Sequence, residues 1–201
     1  MTELNLKEAK IDFLTNELHT HHLFNELSRL NVMIGQQPAT ARAYLVEFAE
    51  LLRLSLKYGD QPQVPISVQM DYLNTYAQQQ HIIHKDKIRI TIDVDGDWES
   101  VHAPWQLFFP LVENAVKQTE VLLGQAPDHS LTIEILLRKE RDRLHFTVRN
   151  PFLVQASLPS AGKGLKNLGD RLKWSYPGGG FKLSSFQHDQ NWVATLQLPL
   201  S

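Results

Sequence analysis

Apolar residues recur at helical spacing through the first quarter of the chain. The spacing predicts one long helix over residues 3–34, with a stripe that shifts phase near the three histidines at 19, 21 and 22. Gly35 and Pro38 indicate a turn. A second amphipathic helix is expected from about Ala39 to Tyr58. The two helices together predict a helical hairpin.

The pattern changes after a Gly- and Pro-containing linker at residues 59–65, so we expect a helical region over 1–62 and a second domain over 63–201. A third helix is predicted from Ser67 to Ile83, with the Ser67 hydroxyl as its cap. The later segments are a strand at Ile88–Val94, a helix at Trp105–Leu123 started by Pro104, strands at Leu131–Leu137 and Leu144–Val148, an irregular stretch over 150–163, a helix at Gly164–Ser175, and a hairpin of Phe181–Phe186 with Trp192–Leu198.

These later strands come in adjacent pairs instead of strict alternation with helices. The predicted fold class is therefore α+β, a helical hairpin followed by a sandwich with helices on one face of a mixed sheet.

Composition excludes several classes of protein. The 201 residues contain no cysteine, which rules out disulfides and thiolate metal sites, and the net charge of −2 argues against nucleic acid as a direct partner. The most apolar run, Trp105 to Val116, is too short to span a bilayer and contains Glu113 and Asn114. The first ten residues lack the pattern of a secretion signal. We therefore expect a cytoplasmic chain, free or tethered to a membrane sensor through a segment or partner outside it.

Three stretches could carry chemistry, and the first lies in the predicted helix around residue 114. Glu113 and Lys117 are four residues apart and so meet on one face, which is equally typical of a surface salt bridge. Asn114 beside Glu113 costs helix propensity, which favours a functional purpose.

The second stretch is Gly162-Lys163-Gly164-Leu165 at a predicted helix start. Glycines at such a place let backbone N–H groups approach an anion, and the helix N-terminus adds positive potential. A flexible loop before an ordinary helix is the alternative interpretation.

The third stretch holds His19, His21 and His22. His19 and His22 lie three residues apart and could form a weak metal site. Solvated histidines on a helix are an alternative. The remaining interpretation is a nucleophile, because a neutral imidazole accepts a phosphoryl group well near pH 7.

In this order, the three stretches resemble the LytS-type sensor histidine kinases. The family runs Gln-x-Asn-Pro-His-Phe-Leu-Phe-Asn around its phosphoacceptor, and residues 17–25 align with it so that His21 is the acceptor, with His22 as the alternative. Further similar segments are Leu51–Leu56, Tyr72–Tyr76, the asparagine box Pro110–Lys117 and the glycine box Gly162–Leu172.

The resemblance implies a GHKL-type ATP-binding domain. Asn114 would hold Mg²⁺, Glu113 would act as base or orient the attacking group, and Lys117 would contact phosphate. The amides of Gly162 and Gly164, on a lid over residues 150–163, would cover the triphosphate. The same resemblance implies that Asn150 accepts the adenine amine. It also adds the following residues to the nucleotide site: Lys163, Leu165 and Asn167.

The resemblance further implies autophosphorylation, transfer to an aspartate of a response regulator of the LytTR type, and a homodimer through the N-terminal helices. Asn150-Pro151-Phe152 stands where the family has Asp-x-Gly-x-Gly, and Asn191-Trp192 where it has Gly-Thr. A neutral acceptor at 150 is expected to weaken ATP binding about tenfold. The second hypothesis is therefore a weakened or inactive kinase-like scaffold. The third hypothesis is an ATP-driven clamp or a serine kinase of the same superfold.

Overall fold

The computed structural model describes residues 23–125, 128–152 and 161–200, with side chains from residue 164 onward in the last stretch. The chain begins there with two helices joined at Gln37: α1, described over 23–36, and α2, Pro38–Tyr58. The remaining elements in chain order are β1 Val64–Pro65, α3 Ile66–His84, β2 Ile88–Val94, β3 His102–Ala103, α4 Phe109–Gln125, β4 Leu131–Glu140, β5 Arg143–Pro151, α5 Ala161–Ser175, β6 Lys182–His188 and β7 Asn191–Pro199.

Five strands form one mixed sheet in the order β2-β4-β5-β7-β6, in which only β2 and β4 run parallel. Alternate residues of each central strand are buried, as Ile133, Ile135 and Leu137 are on β4. The opposite face is polar and carries the Glu134–Arg149 ion pair across β4 and β5. The predicted fold class, with helices on one face of a mixed sheet, is confirmed.

One core lies between that sheet and the helices. Its buried cluster includes Leu73 of α3, Val112 of α4 and Leu172 of α5, and it also takes in Leu51 and Leu54 of α2. The second helix therefore packs against the α+β part of the molecule.

The predicted cap of α3 and the predicted start of α4 are wrong, and in each case the backbone gives the reason. Helix α3 begins at Ile66 without a side-chain cap, because the Ile66 N–H bonds to the Val101 carbonyl beside the small β1–β3 sheet, so Ser67 is not the cap. Helix α4 begins at Phe109 and not at Trp105, because Gln106 has a φ of 54° that no α-helix accommodates.

The start of α5 is also earlier than expected. The helix begins at Ala161, so Gly162 and Gly164 lie in its first turn instead of before it. The paired strands β4–β5 and β6–β7 match the predicted positions and are each somewhat longer. The two-residue strands β1 and β3 had no signal in the sequence pattern.

Candidate active site

Helix α4 presents the first group of predicted site residues. Its inner side is buried through Leu111, Val112, Ala115 and Val116, which leaves Glu113 and Asn114 half-buried and Lys117 exposed. Lys117 Nζ lies 2.8 Å from Glu113 Oε1, the i to i+4 pair that the spacing predicts. Such an exposed pair contributes little to stability, so both side chains remain available for a ligand.

Asn150 lies at the end of β5 and is almost completely buried, at 2 % exposure. Its Nδ2 donates to Gln118 Oε1 at 3.2 Å and to the Pro151 carbonyl at 3.0 Å. Gln118 follows Asn114 by one turn of α4, a rise of about 6 Å along the helix. The predicted base-binding residue thus lies within a turn of the predicted metal ligand.

Helix α5 carries the glycine-containing stretch at its N-terminus. A Cβ added to Gly164 would meet no atom within 4 Å, so internal packing does not explain the glycine there. Leu165 packs against the core, Asn167 is half-buried, and Leu168 is fully buried. The first-turn amides of α5 are therefore positioned by apolar contacts one to two turns further along the same helix.

Arg171 connects the two helices of the candidate site. It donates from Nη2 to the backbone carbonyl of Trp105, in the turn before α4. Burial lowers the pKa of this guanidinium, which still remains protonated at neutral pH. The bond holds α5 to the segment that leads into the Glu113–Asn114 helix.

A second polar region joins α1 to the rest of the molecule. Glu26 is 6 % exposed, and its Oε2 accepts from the Tyr44 hydroxyl of α2 and, at 3.0 Å, from Gln79 Nε2 of α3. We call these three residues the Glu26 cluster. A buried carboxylate needs such donors, because desolvation otherwise makes its charge costly.

The next turn of α1 reaches α4. Arg29 Nη1 lies 3.7 Å from Glu120 Oε1, and the same oxygen lies 3.1 Å from His84 Nε2. Burial raises the pKa of Glu120, but the His84 hydrogen bond and the charges of His84, Arg29 and Lys117 together lower it below its ordinary value. The first helix is thus fixed to the helix that carries Glu113 and Asn114.

Several predicted residues fall outside this description. His21, with His19 and His22, lies outside the described residues, and so does most of the predicted lid. Gly162 and Lys163 are described only as backbone in α5. In the part of the chain that is described, no group of three or more His, Asp or Glu side chains could hold a metal ion.

Three residues of this region had not been assigned from the sequence. Gln118 and Arg171 lie inside or next to the motifs but had no expected role, and Trp192 was noted only as a departure from the family pattern. Their positions follow from the pairing of strands and helices, which the motifs themselves do not encode.

Comparisons with known proteins find similarity to histidine kinases. A family model described as histidine kinase matches residues 9–88. The sensor protein LytS of Oceanobacillus iheyensis is 29 % identical over 112 residues, which is 56 % of this chain and 19 % of that protein. The sensor protein kinase HptS of Staphylococcus aureus is 26 % identical over 147 residues, covering 73 % of this chain and 27 % of HptS. Over these stretches the chain is similar to the LytS-type sensor histidine kinases.

The chain spans between 19 % and 28 % of the length of the curated relatives it matches first. Among solved structures, it is similar to the histidine kinase domain of a blue-light activated kinase from Erythrobacter litoralis, at a TM-score of 0.47, 15 % identity and 96 % coverage of both chains. It is also similar to histidine kinase ThkA in complex with the response regulator TrrA, at a TM-score of 0.46 and 12 % identity, over 97 % of this chain and 64 % of that one.

Within residues 23–125, 128–152 and 161–200, no helix combines the length and apolar character needed to cross a membrane.

Proposed function

We propose that this chain is the core of a sensor histidine kinase, which binds Mg-ATP, phosphorylates its own His21 and passes the phosphoryl group to an aspartate of a response regulator. Residues 1–62 would be the dimerisation and phosphoacceptor region, and residues 63–201 the ATP-binding domain. A LytTR-type regulator is the proposed partner.

One observation carries the proposal: the Asn150–Gln118 hydrogen bond of 3.2 Å, which joins the end of β5 to α4 one turn from Asn114. It supports a single site in which the base lies near Asn150 and the phosphates extend toward Asn114 and the first turn of α5. The N-terminus of a helix favours phosphate through its free N–H groups and its dipole.

The side chains of α4 fit a magnesium–triphosphate complex. Mg²⁺ prefers oxygen ligands and is commonly held by one or two protein groups together with substrate phosphates, so a site without a three-carboxylate cluster suits it. The Asn114 amide oxygen provides such a ligand. When bound, the ion would neutralise phosphate charge.

The protein groups would then act mainly by positioning, which phosphoryl transfer chiefly needs. Glu113 would orient or deprotonate the attacking imidazole of His21, and Lys117 would leave its 2.8 Å pair with Glu113 to contact phosphate. The amides of Gly162 and Gly164 would hold the triphosphate, with Lys163 and Asn167 beside it, and Leu165 would anchor the turn through the core. The γ-phosphoryl group would pass to His21 and then to the regulator.

Incubation with γ-labelled ATP and Mg²⁺ tests the proposal. The chain should acquire an acid-labile label that His21→Gln removes and His22→Gln retains. Label on His21→Gln but not on His22→Gln would instead assign His22. Absence of label from the unaltered chain, with ATP bound, would contradict a kinase.

A non-catalytic kinase-like module is the second candidate. Phe152 stands where the family has a glycine, and the centre of its ring lies 5.5 Å from that of Trp192. Calorimetry with a non-hydrolysable ATP analogue separates the two, because a scaffold that has lost its site would give no heat up to millimolar ligand.

A further inference from the structure

Gln69 of α3 is a buried amide, 2 % exposed, that bonds to the segment leading into α4. Its Nε2 donates to the Ala103 carbonyl at 3.2 Å, and its Oε1 accepts from the Leu107 N–H at 3.2 Å. A carbonyl can only accept and a backbone N–H can only donate, so the amide has a single possible orientation. One side chain thus bonds to both ends of residues 103–107, which we call the Trp105 turn.

The Trp105 turn has a backbone conformation that needs such support. Gln106 has a φ of 54°, in the left-handed region that residues with a Cβ rarely adopt. A residue held in that region costs free energy and persists only where its surroundings fix it. The two bonds of Gln69 lie on either side of Gln106, so they hold the chain in the conformation that this φ requires.

Neighbouring helices contact the middle of the turn. The centre of a Trp105 ring lies 5.3 Å from that of Tyr72 on α3 and 5.7 Å from that of Tyr58 on α2. The Trp105 carbonyl accepts from Arg171 on α5. These contacts fix Trp105, while Gln69 fixes the backbone on either side of it.

The Trp105 turn leads directly into the helix of the candidate site. Helix α4 begins at Phe109, and Asn114 follows five residues later, a rise of about 8 Å along the helix. Continuous backbone hydrogen bonds join these residues, so a displacement of the turn displaces Glu113 and Asn114 with it.

We propose that Gln69 is a positioning residue, which fixes the start of α4 and thereby places Glu113 and Asn114 for phosphoryl transfer. The inference rests on the proposed kinase function and adds a residue outside its motifs. Phosphoryl transfer depends mainly on the position of the groups around the phosphate, and a misplacement of about 1 Å can lower the rate about a hundredfold. Gln69 therefore acts on the rate of transfer more than on nucleotide affinity, because Asn150, at the proposed base end of the site, is held by β5.

Initial rates of labelling with γ-labelled ATP and Mg²⁺, measured over a range of ATP concentrations, test the proposal. Gln69→Leu removes both bonds, and Gln69→Asn keeps an amide that is one CH₂ too short to reach both backbone groups. We expect each variant to label at least about tenfold more slowly at saturating ATP, with a change of less than about threefold in the KM for ATP. Rates are expressed per folded molecule, well below the unfolding midpoint, so lost stability alone leaves them unchanged.

Gln80 provides the matched control. It lies on the same helix, is 3 % exposed, and its Oε1 has no hydrogen-bond partner among the described residues. Gln80→Leu and Gln80→Asn therefore repeat both substitutions at a buried glutamine about three turns from Gln69. Both should label at close to the rate of the unaltered chain.

Amide hydrogen exchange gives a readout that does not depend on kinase activity. The Leu107 N–H should exchange slowly in the unaltered chain and at least about tenfold faster in Gln69→Leu, because the variant removes its acceptor. The Gln80 variants should leave this exchange rate unchanged.

The outcomes separate this inference from the proposal beneath it. Gln69 variants that label at the unaltered rate would overturn the positioning role, and so would a change confined to the KM or an equal loss in the Gln80 variants. If Gln69→Leu does not fold, Gln69→Asn and Gln80→Asn decide. An unaltered chain that binds ATP but takes up no label would overturn the proposed kinase function itself, and the inference with it.

Discussion

Arg171 is a half-buried cation whose contact joins two helices of the candidate site. Desolvation of a guanidinium is costly, and its bond to the Trp105 carbonyl offsets part of that cost. Because Trp105 lies just before α4 and Arg171 lies on α5, the same bond sets the spacing between the helices that carry Asn114 and Gly164. Residues outside the binding groups can thus determine the geometry of the site.

Arg171→Met should lower the free energy of unfolding by about 1–3 kcal/mol, because it leaves the Trp105 carbonyl without its donor. Urea unfolding of the purified chain measures this. The control is Lys173→Met on the same helix, where the lysine makes only an exposed pair with Asp170 and the loss should stay below about 0.5 kcal/mol. Equal stabilities of the two variants would show that the hydrogen bond from Arg171 to the Trp105 carbonyl does not contribute to the free energy of unfolding.

The sequence predicted contacts between residues that are close along the chain. It did not predict contacts between residues that are far apart along the chain. Glu113 and Lys117 pair as their spacing requires, since four residues make one helical turn. Gln118 meets Asn150 across 32 positions, and Trp192 lies beside Asn150 only because β5 pairs with β7. Contacts of that kind depend on topology, which periodicity does not specify.

At the scale of elements, the Glu26 cluster makes α1 part of the folded domain. The carboxylate takes one donor from α2 and one from α3, so three helices meet at one buried charge. Helix α1 leads directly from the predicted acceptor His21.

A double-mutant cycle should reveal this attachment as coupling between the two helices. Tyr44→Phe and Glu26→Gln should each destabilise the chain by about 1–2 kcal/mol, and the double variant should lose about 1 kcal/mol less than the sum of the two. Thermal or urea unfolding of the four proteins gives the coupling. Strict additivity would mean that the two side chains do not interact in solution.

The contact of α1 with α4 should make stability depend on pH. The pKa of Glu120 is lowered from 4.5 in the fold, so the ionised carboxylate favours the folded state. That contribution is present above the ordinary pKa and is lost as the pH falls through the lower folded value.

Glu120→Gln should therefore reduce the free energy of unfolding by about 0.5–1 kcal/mol at neutral pH, and the difference from the unaltered chain should shrink below about pH 4.5. Unfolding curves across that range provide the measurement. A difference that stays constant with pH would contradict the assignment of the effect to this carboxylate.

For the whole molecule, the sequence predicted the fold class but not how its parts assemble. The hairpins β4–β5 and β6–β7 follow from alternating residues and short turns. The parallel pairing of β2 with β4 spans the whole of α4, and the turn at Gln106 depends on a single positive φ. Neither the parallel strand pairing nor the positive φ produces a periodic pattern in the sequence. Both are therefore visible only in the structure.

The helical hairpin leaves a large apolar surface uncovered. On α2 the outward stripe, at i, i+4, i+7 and i+11 spacing, consists of Leu45, Ala49, Leu52 and Leu56, and Leu56 is 85 % exposed. On α1, Phe24, Leu27 and Ile34 are also exposed. Apolar stripes of this extent on adjacent helices are typical of a helix-bundle interface, which supports the proposed homodimer.

Leu45→Glu combined with Leu56→Glu should convert that dimer into a monomer, because two like charges would be buried at matching positions of both copies. Sedimentation equilibrium should give twice the 23.1 kDa chain mass for the unaltered protein and a single chain mass for the variant. Val94→Glu, at an exposed apolar position on β2 outside the hairpin, should stay dimeric and controls for the added charge. A monomeric unaltered chain at about 50 µM would contradict the homodimer, since a stripe that buries several leucines should hold a dimer together at that concentration. A doubly substituted chain that remains dimeric would likewise exclude this face, and the contacts between copies would then have to come from surfaces outside α2.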